Sequence, residues 1–309
     1  MKKKYIPHAE VPVIEHCNLN CDLCNCHANL INKSYYPLEQ FIKDIDNLAK
    51  HVHFGFMTFM GGEPLLCENL DKYISYAREK KMAEIYRVLS NGLLYKRLSP
   101  QLMDTIDVLE ISHYPQMKDT VKAISEYLKP LSKKHNFTYY IKSIGYFNEI
   151  DTISISEGEA QQGYHNCRRI VDGCCIFNGY YYKCMRPKTT NLYLEKRHGI
   201  KLDKDLRITD GVKISADDFR SRLDAYISDT KMMDSCKYCL MGLEHDESFV
   251  TRMKHLALQR PYLIRTFYKN HILYHSFKKI KSLVQFDEGA HSSDKGLITT
   301  SIHTVGKKY

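Results

Sequence analysis

The stretch Val11-Pro12-Val13-Ile14-Glu15-His16-Cys17-Asn18-Leu19-Asn20-Cys21-Asp22-Leu23-Cys24 decides how the rest of the chain is read. Its apolar opening predicts a strand over Val11–Glu15. Three cysteines follow at once, spaced Cys17-x3-Cys21-x2-Cys24. Asn18, Asn20 and Asp22 favour tight turns, so the three sulfurs can converge on one point. The number of ligands matters. Structural zinc takes four in a closed tetrahedron, whereas a cubane iron–sulfur cluster held by three cysteines leaves one iron open.

Downstream, helices and strands alternate. Leu38, Phe41, Ile42, Ile45 and Leu48 mark one face of a helix over Pro37–His51. Further helices are expected over Glu68–Lys80, Pro100–Ile106 and Met117–Lys134. Strands are expected over His53–Met60, Glu84–Ser90, Val108–His113 and Thr138–Ile144. Strands separated by helices of this size predict βαβ units and a parallel sheet. Five or six units fall short of a closed eight-fold barrel, so the expected fold is α/β, a partial (β/α)6 barrel over residues 1–155. Ser154–Tyr164 is polar and reads as a connection. Residues 156–245 hold six cysteines, Tyr-rich strands such as Tyr180–Lys183 and a helix at Ala216–Ile227, and read as a small cysteine-rich second domain. Residues 246–309 read as a basic helical extension. There Ile272, Leu273, Phe277, Ile280 and Val284 share one helical face. That face suits docking on the core, or alternatively contact with a membrane surface. A loose tail is expected from Glu288.

The 309-residue chain is 43% apolar and 26% charged, which excludes disorder. Glu63 breaks the longest uncharged apolar run, and Lys2–Lys4 are not followed by an apolar stretch, so neither a membrane span nor a signal peptide is expected. A cytoplasmic location follows, where thiols stay reduced. The odd total of 11 cysteines then points to metal ligation rather than a disulfide framework. A net charge of +9 is modest for a nucleic-acid partner, which is not expected, and suits acidic partners.

The cysteine spacing resembles that of the radical S-adenosylmethionine (SAM) superfamily, where it follows the first strand of a partial barrel. Two further elements carry the resemblance. Gly61-Gly62-Glu63-Pro64 ends the second strand, where the superfamily holds the methionine amino group, and Ser90-Asn91-Gly92 ends the third, where a polar residue meets the ribose. The residue before the third cysteine is commonly aromatic in the family and is Leu23 here. The resemblance implies a [4Fe-4S] cluster on Cys17, Cys21 and Cys24, and SAM contacts from Gly61, Gly62, Glu63, Ser90 and Asn91. It also implies reductive cleavage of SAM to a 5′-deoxyadenosyl radical, fed by a flavodoxin- or ferredoxin-like electron donor. Cys26 and Cys67 lie outside the pattern and read as a bystander and a packing residue.

Cys167-x11-Gly179-x4-Cys184, followed by Cys236-x2-Cys239, resembles the shortened SPASM module called twitch. That resemblance implies one auxiliary iron–sulfur cluster, of [4Fe-4S] type, on Cys167, Cys184, Cys236 and Cys239; structural zinc is the alternative. Cys174 and Cys175 read either as a buried pair or as hydrogen-atom donors to a substrate radical.

A short barrel with one auxiliary cluster is similar to aminocyclitol dehydrogenases and aminoglycoside diol dehydratases. The similarity implies a saccharide-like small molecule undergoing dehydrogenation, dehydration or epimerisation. Glu15, Ser112, His113 and Tyr114 sit at expected strand ends as candidate substrate contacts. His113 is the candidate for proton transfer, with a satisfied structural histidine as the alternative. A peptide-modifying radical SAM enzyme and a non-catalytic zinc scaffold remain as competing readings.

Overall fold

The computed structural model describes residues 3–243, apart from residues 22, 115–116, 118–119, 145–149, 168 and 171–172, together with the backbone of residues 299–303. Four βα units and a fifth strand come first: β1 (Lys4–Ile14), α1 (Leu38–Leu48), β2 (Val52–Gly61), α2 (Leu70–Glu79), β3 (Ala83–Ser90), α3 (Pro100–Thr105), β4 (Val108–His113), α4 (Thr120–His135) and β5 (Thr138–Ser143). All five strands pair in parallel in chain order. A sixth parallel strand, β6 (Gly173–Phe177), joins the far side of β1, with Ala9 opposite Cys174. The fold is thus α/β with a mostly parallel sheet, the partial barrel expected from the alternation. Its sixth strand comes from the cysteine-rich segment, so the sheet runs through the boundary drawn at residue 155.

β1 begins at Lys4, earlier than the apolar run at Val11 suggests. Pro7 masks this extension in the sequence. It is accommodated because β6 pairs with β1 only from His8 onward, so β1 is an edge strand on that side at Pro7. One face of the sheet is packed by helices. Phe41, Ile45 and Leu48 of α1 and Ile124 and Leu128 of α4 bury against that core, which includes Val11, Phe59, Val88 and Leu109.

β6 turns into β7 (Tyr180–Tyr182) through Asn178-Gly179, with both φ angles positive, the geometry a two-residue hairpin favours. The turn is bolted to α1. The buried Asp44 carboxylate accepts from Gly179 N at 2.7 Å, from Gln40 Nε2 at 2.8 Å and from the Tyr36 hydroxyl. β8 (Val212–Lys213) extends the sheet beyond β7.

Among the described residues, two helices of ten residues or more depart from the sequence expectations. Ser154–Tyr164, taken there as a connection, contains the start of α5 (Glu157–Asn166). A capping box opens this helix: Glu159 N donates to Ser156 Oγ at 3.2 Å and Ser156 N donates to Glu159 Oε2 at 2.9 Å. Gly158 and Gly163 hide the helix in the sequence; at Gly163 an added Cβ would lie 3.1 Å from Met241 O, a tight approach that favours glycine. The second is α6 (Arg186–His198), which buries Arg186, Lys188, Thr189 and Thr190 and so shows no apolar stripe. Short α7 (Leu206–Thr209) and then α8 (Phe219–Ser228), close to the expected helix, follow. A small separate core of Ile155, Ala160, Tyr164, Met232, Leu240 and Leu243 lies in this half.

The expected helix face between Ile272 and Val284 lies outside the described residues. Within the segment read as a loose tail, Thr299–His303 forms a strand, β9, antiparallel to β5; its Thr-Thr-Ser-Ile run suits an edge position. Among the described residues no helix is long and apolar enough to cross a membrane.

Asp44→Ala should leave three donors without their acceptor, the Tyr36 hydroxyl among them fully buried, and lower stability by about 2–3 kcal/mol. A fall in the denaturant midpoint, with Ser156→Ala as a milder control near 1 kcal/mol, checks this.

Candidate active site

β2 ends by pressing its backbone against the exit of β1. Gly62 N donates to Ile14 O at 2.8 Å and Glu63 N donates to His16 O at 3.0 Å. A Cβ on Gly61 would lie 1.8 Å from Ile14 O, and one on Gly62 would lie 1.8 Å from His16 O. Gly61 also holds φ at +133°, a value that side chains resist. Only glycines allow this approach, and it sets Gly-Gly directly beside Cys17.

Glu63 then turns inward and is 0% exposed. Its carboxylate accepts from Ser90 Oγ at 2.8 Å, Asn91 N at 2.8 Å and Leu65 N at 3.0 Å. Burial pushes its carboxyl up to about 7, against the pull of those hydrogen bonds. Asn91 in turn donates through Nδ2 to Asn18 Oδ1 at 2.8 Å and to Cys17 Sγ at 3.6 Å. Gly61, Gly62, Glu63, Ser90, Asn91 and Cys17 thus share one locus. The Glu63 carboxylate is taken up by the β3 exit, and the Gly-Gly backbone is what faces the cysteine loop.

In that loop Cys17, Cys21 and Cys24 are half-buried, and none is in a disulfide. Leu19 N donates to Cys17 Sγ at 3.4 Å. A hydrogen bond from the Cys26 thiol, joined by the backbone N–H groups of Ala28, Cys26 and His27, holds the Cys24 thiol well below its ordinary value. Thiolate is the form that ligates metal. Cys26 is therefore packed against Cys24, closer to the chemistry than a bystander. N–H donors aimed at cysteine sulfur suit a thiolate-held cluster. Among the described residues no three His, Cys, Asp or Glu side chains are grouped to share a single metal ion.

The second cysteine set also converges. Cys167 ends α5, Cys184 follows β7, Cys236 lies within a 3-10 turn over Asp234–Tyr238, and Cys239 caps that turn. All four line one cavity, together with Arg186 and Asn25. Leu240 N donates to Ile150 O at 2.8 Å and Thr152 N to Tyr238 O at 3.2 Å, which fixes the Cys-x2-Cys segment. Burial pushes the Cys236 thiol up to about 12 and the Cys184 thiol up as well. The Arg186 side chain is 8% exposed and pairs through Nη2 with Asp151, but its Nε and Nη1 have no hydrogen-bond partner. Unpaired buried donors on a charged group cost roughly 1–3 kcal/mol or more, so the cavity fits an anionic occupant that accepts from them.

Residues 11–156 match the family model described as the radical SAM superfamily. The barrel segment of this chain is thus similar to the radical SAM superfamily. A Helicobacter pylori GTP 3′,8-cyclase is 32% identical over 165 residues, 46% of this chain and 49% of that protein. A 7,8-dihydro-6-hydroxymethylpterin dimethyltransferase from Methanocaldococcus jannaschii is 32% identical over 93 residues, 29% of this chain and 18% of that one. The chain thus spans about half, or less, of the length of these curated relatives. Among solved structures, BtrN in complex with AdoMet and 2-DOIA aligns with a TM-score of 0.46 at 16% identity, covering 77% of this chain and 94% of that one.

This barrel has an unusual inner lining. A closed (β/α) barrel fills its inside with branched apolar side chains. Here the sheet face turned away from the helices is charged. Arg87 donates to Glu110 Oε2 and to Thr58 Oγ1, both at 3.0 Å, and His8 Nε2 meets Thr58 Oγ1 at 2.8 Å. The Tyr140 hydroxyl donates to Glu110, and Arg169 pairs with Glu10 at 3.1 Å. These residues went unnamed in the sequence reading. Their signal was there: His8 and Glu10 stand two apart on β1, and Thr58, Arg87 and Glu110 each interrupt an otherwise apolar strand on the same face, beside apolar Phe56 and Leu89.

The candidate substrate contacts distribute unevenly. Glu15 accepts from Lys188 at 2.5 Å and Ser34 at 2.7 Å; burial would raise its carboxyl, and Lys188 outweighs that and holds it low. Ser112 is buried. Tyr114 lies within electrostatic range of Cys21, Cys26 and Cys24, and burial pushes its hydroxyl up. His113 Nε2 is bonded to Met117 O at 2.9 Å, which leaves Nδ1 as the nitrogen for any proton transfer. Cys174 and Cys175, at 2% and 0% exposure, belong to the main core and do not line the cysteine cavity; buried packing, one of their two readings, is what this placement supports.

Glu63 gives a pH signature. Its folded value near 7 exceeds the ordinary 4.5, so between those pH values the folded chain keeps a proton that the unfolded chain has released. Stability from this group therefore falls as pH rises through that window. Relative to Glu63→Gln, the wild-type denaturant midpoint should decline across it and level off above about pH 7.

Proposed function

We propose that the chain is a radical SAM enzyme that removes hydrogen from a carbohydrate, an aminocyclitol or a related polar small molecule, leading to dehydrogenation, dehydration or epimerisation. The observation that carries the choice of a polar substrate is the charged inner lining of Glu10, Arg87, Glu110 and Arg169. An apolar ligand would leave those groups desolvated without new partners.

Cys17, Cys21 and Cys24 hold the [4Fe-4S] cluster in this reading. When bound, the cluster and SAM supply hydrogen abstraction by a 5′-deoxyadenosyl radical. The Gly61-Gly62 backbone seats the methionine end of SAM. Glu63 orders Ser90 and Asn91 beside it. Cys167, Cys184, Cys236 and Cys239 hold an auxiliary iron–sulfur cluster, the twitch-like arrangement; their shared cavity supports this. The reductant is a flavodoxin- or ferredoxin-like carrier, and the net charge of +9 favours encounter with an acidic one.

Anaerobic reconstitution should give about eight iron atoms per chain, four for each cubane. Cys17→Ala should remove about half of the iron and all reductive SAM cleavage. Cys236→Ala should remove about half and spare substrate-independent cleavage. Zinc in place of iron, with no cleavage, would favour the scaffold reading. Deuterated saccharides, aminocyclitols, GTP and peptides are then offered in turn, and label in 5′-deoxyadenosine is followed by mass spectrometry. Transfer from a saccharide or aminocyclitol is expected; transfer only from GTP or a peptide would replace the proposal.

A further inference from the structure

Arg169, Lys188 and Arg186 lie near the two cysteine sites, and each meets a carboxylate. Arg169 lines the second cavity but pairs with Glu10 at 3.1 Å. Lys188 pairs with Glu15 at 2.5 Å. Arg186 differs. It opens α6 two residues after Cys184, and Asp151 grips only its Nη2. Asp151 itself forms a β-bridge with Cys239, so the grip is anchored to the Cys-x2-Cys segment. Nε and Nη1 are buried and without a hydrogen-bond partner, in a side chain that lines the cavity of Cys167, Cys184, Cys236 and Cys239.

We propose that Arg186 is a positioning residue for the auxiliary cluster, donating Nε–H and Nη1–H to sulfur and thereby raising its reduction potential. The inference rests on the auxiliary-cluster reading above. The Arg186–Asp151 pair carries no net charge, but the guanidinium lines the cavity of the four cysteines with two N–H-bearing nitrogens that Asp151 does not hold. His27, 3.1 Å from Asp151, does not alter this, because burial and then Arg186 keep its ring neutral. A guanidinium suits the task, being always charged and offering N–H groups in a fixed plane. Hydrogen bonds to sulfur and nearby positive charge both favour the reduced state, which carries one more electron.

The test is a redox titration followed by EPR on the full chain, compared with Arg186→Gln, Arg186→Lys and Asp151→Asn. Arg186→Gln should lower the auxiliary potential, so that several-fold less of the cluster is reduced at a fixed applied potential. Arg186→Lys should fall between the two, since it keeps the charge but loses the planar pair of donors. Asp151→Asn should shift the potential upward by removing the opposing charge. Unmoved potentials in Arg186→Gln, or in Asp151→Asn if Arg186→Gln fails to load iron, would overturn the inference. A separate arm loads iron into the chain carrying Cys17, Cys21 and Cys24→Ala. No iron there would remove the auxiliary cluster itself, and the inference with it. About four iron atoms there, with a potential indifferent to Arg186, would remove the inference alone.

Discussion

The exits of β1 and β2 touch through bare backbone, and much of the active-site region depends on that contact. The carbonyls of Ile14 and His16 receive the N–H groups of Gly62 and Glu63 at 2.8 and 3.0 Å. Nothing larger than hydrogen fits at Gly61 or Gly62. The contact aims Glu63 at the exit of β3, where its carboxylate organises Ser90 and Asn91. Asn91 closes the circuit on Asn18 and Cys17. Three strand ends and the cysteine loop are therefore joined in one hydrogen-bonded network. Burying a carboxylate completely is costly. Three donors on Glu63 offset that cost, and its raised carboxyl value shows that they do so only in part.

The second cysteine set is tied to the first by structure as well as sequence order. β6 is an integral strand of the barrel sheet, and Asp44 on α1 holds the turn that leads from it to Cys184. Asn25, inside the first cysteine loop, lines the cavity of the second set. His27 and Arg186 meet at Asp151, each from a different cysteine segment. One carboxylate and one loop thus touch both cysteine segments.

What the sequence disclosed follows from what its local patterns can encode. The cysteine spacing and the Gly-Gly-Glu element are local, so both were legible. The parallel strands were legible because burial on the helix side leaves apolar runs such as Phe54–Met60. α6 was not, because its buried face carries Arg186, Lys188, Thr189 and Thr190, whose partners lie far along the chain. α5 was obscured by glycine that a neighbouring backbone favours. β1 was shortened by a proline whose position is harmless only because β6 starts one residue later. Each miss is a tertiary contact overriding a local rule.

The charged lining of the barrel is the clearest such case, and its energetics bear on function. Ion pairs in a half-buried setting return little net stability, and apolar side chains of similar volume commonly do as well or better. Arg87 with Glu110 and Arg169 with Glu10 therefore contribute little that a Leu- or Val-lined interior would lack. What they add is direction: a fixed array of donors and acceptors that a polar molecule can engage by exchanging one hydrogen bond for another. Such exchange favours ligands rich in hydroxyl and amino groups, since each displaced water or partner bond must be replaced. In the proposed reaction the substrate hydrogen must lie within reach of the radical, so an array that holds a polar substrate in one orientation would contribute to selectivity. The lining that weakens the case for a stability role is the same feature that favours orientation of a polar substrate.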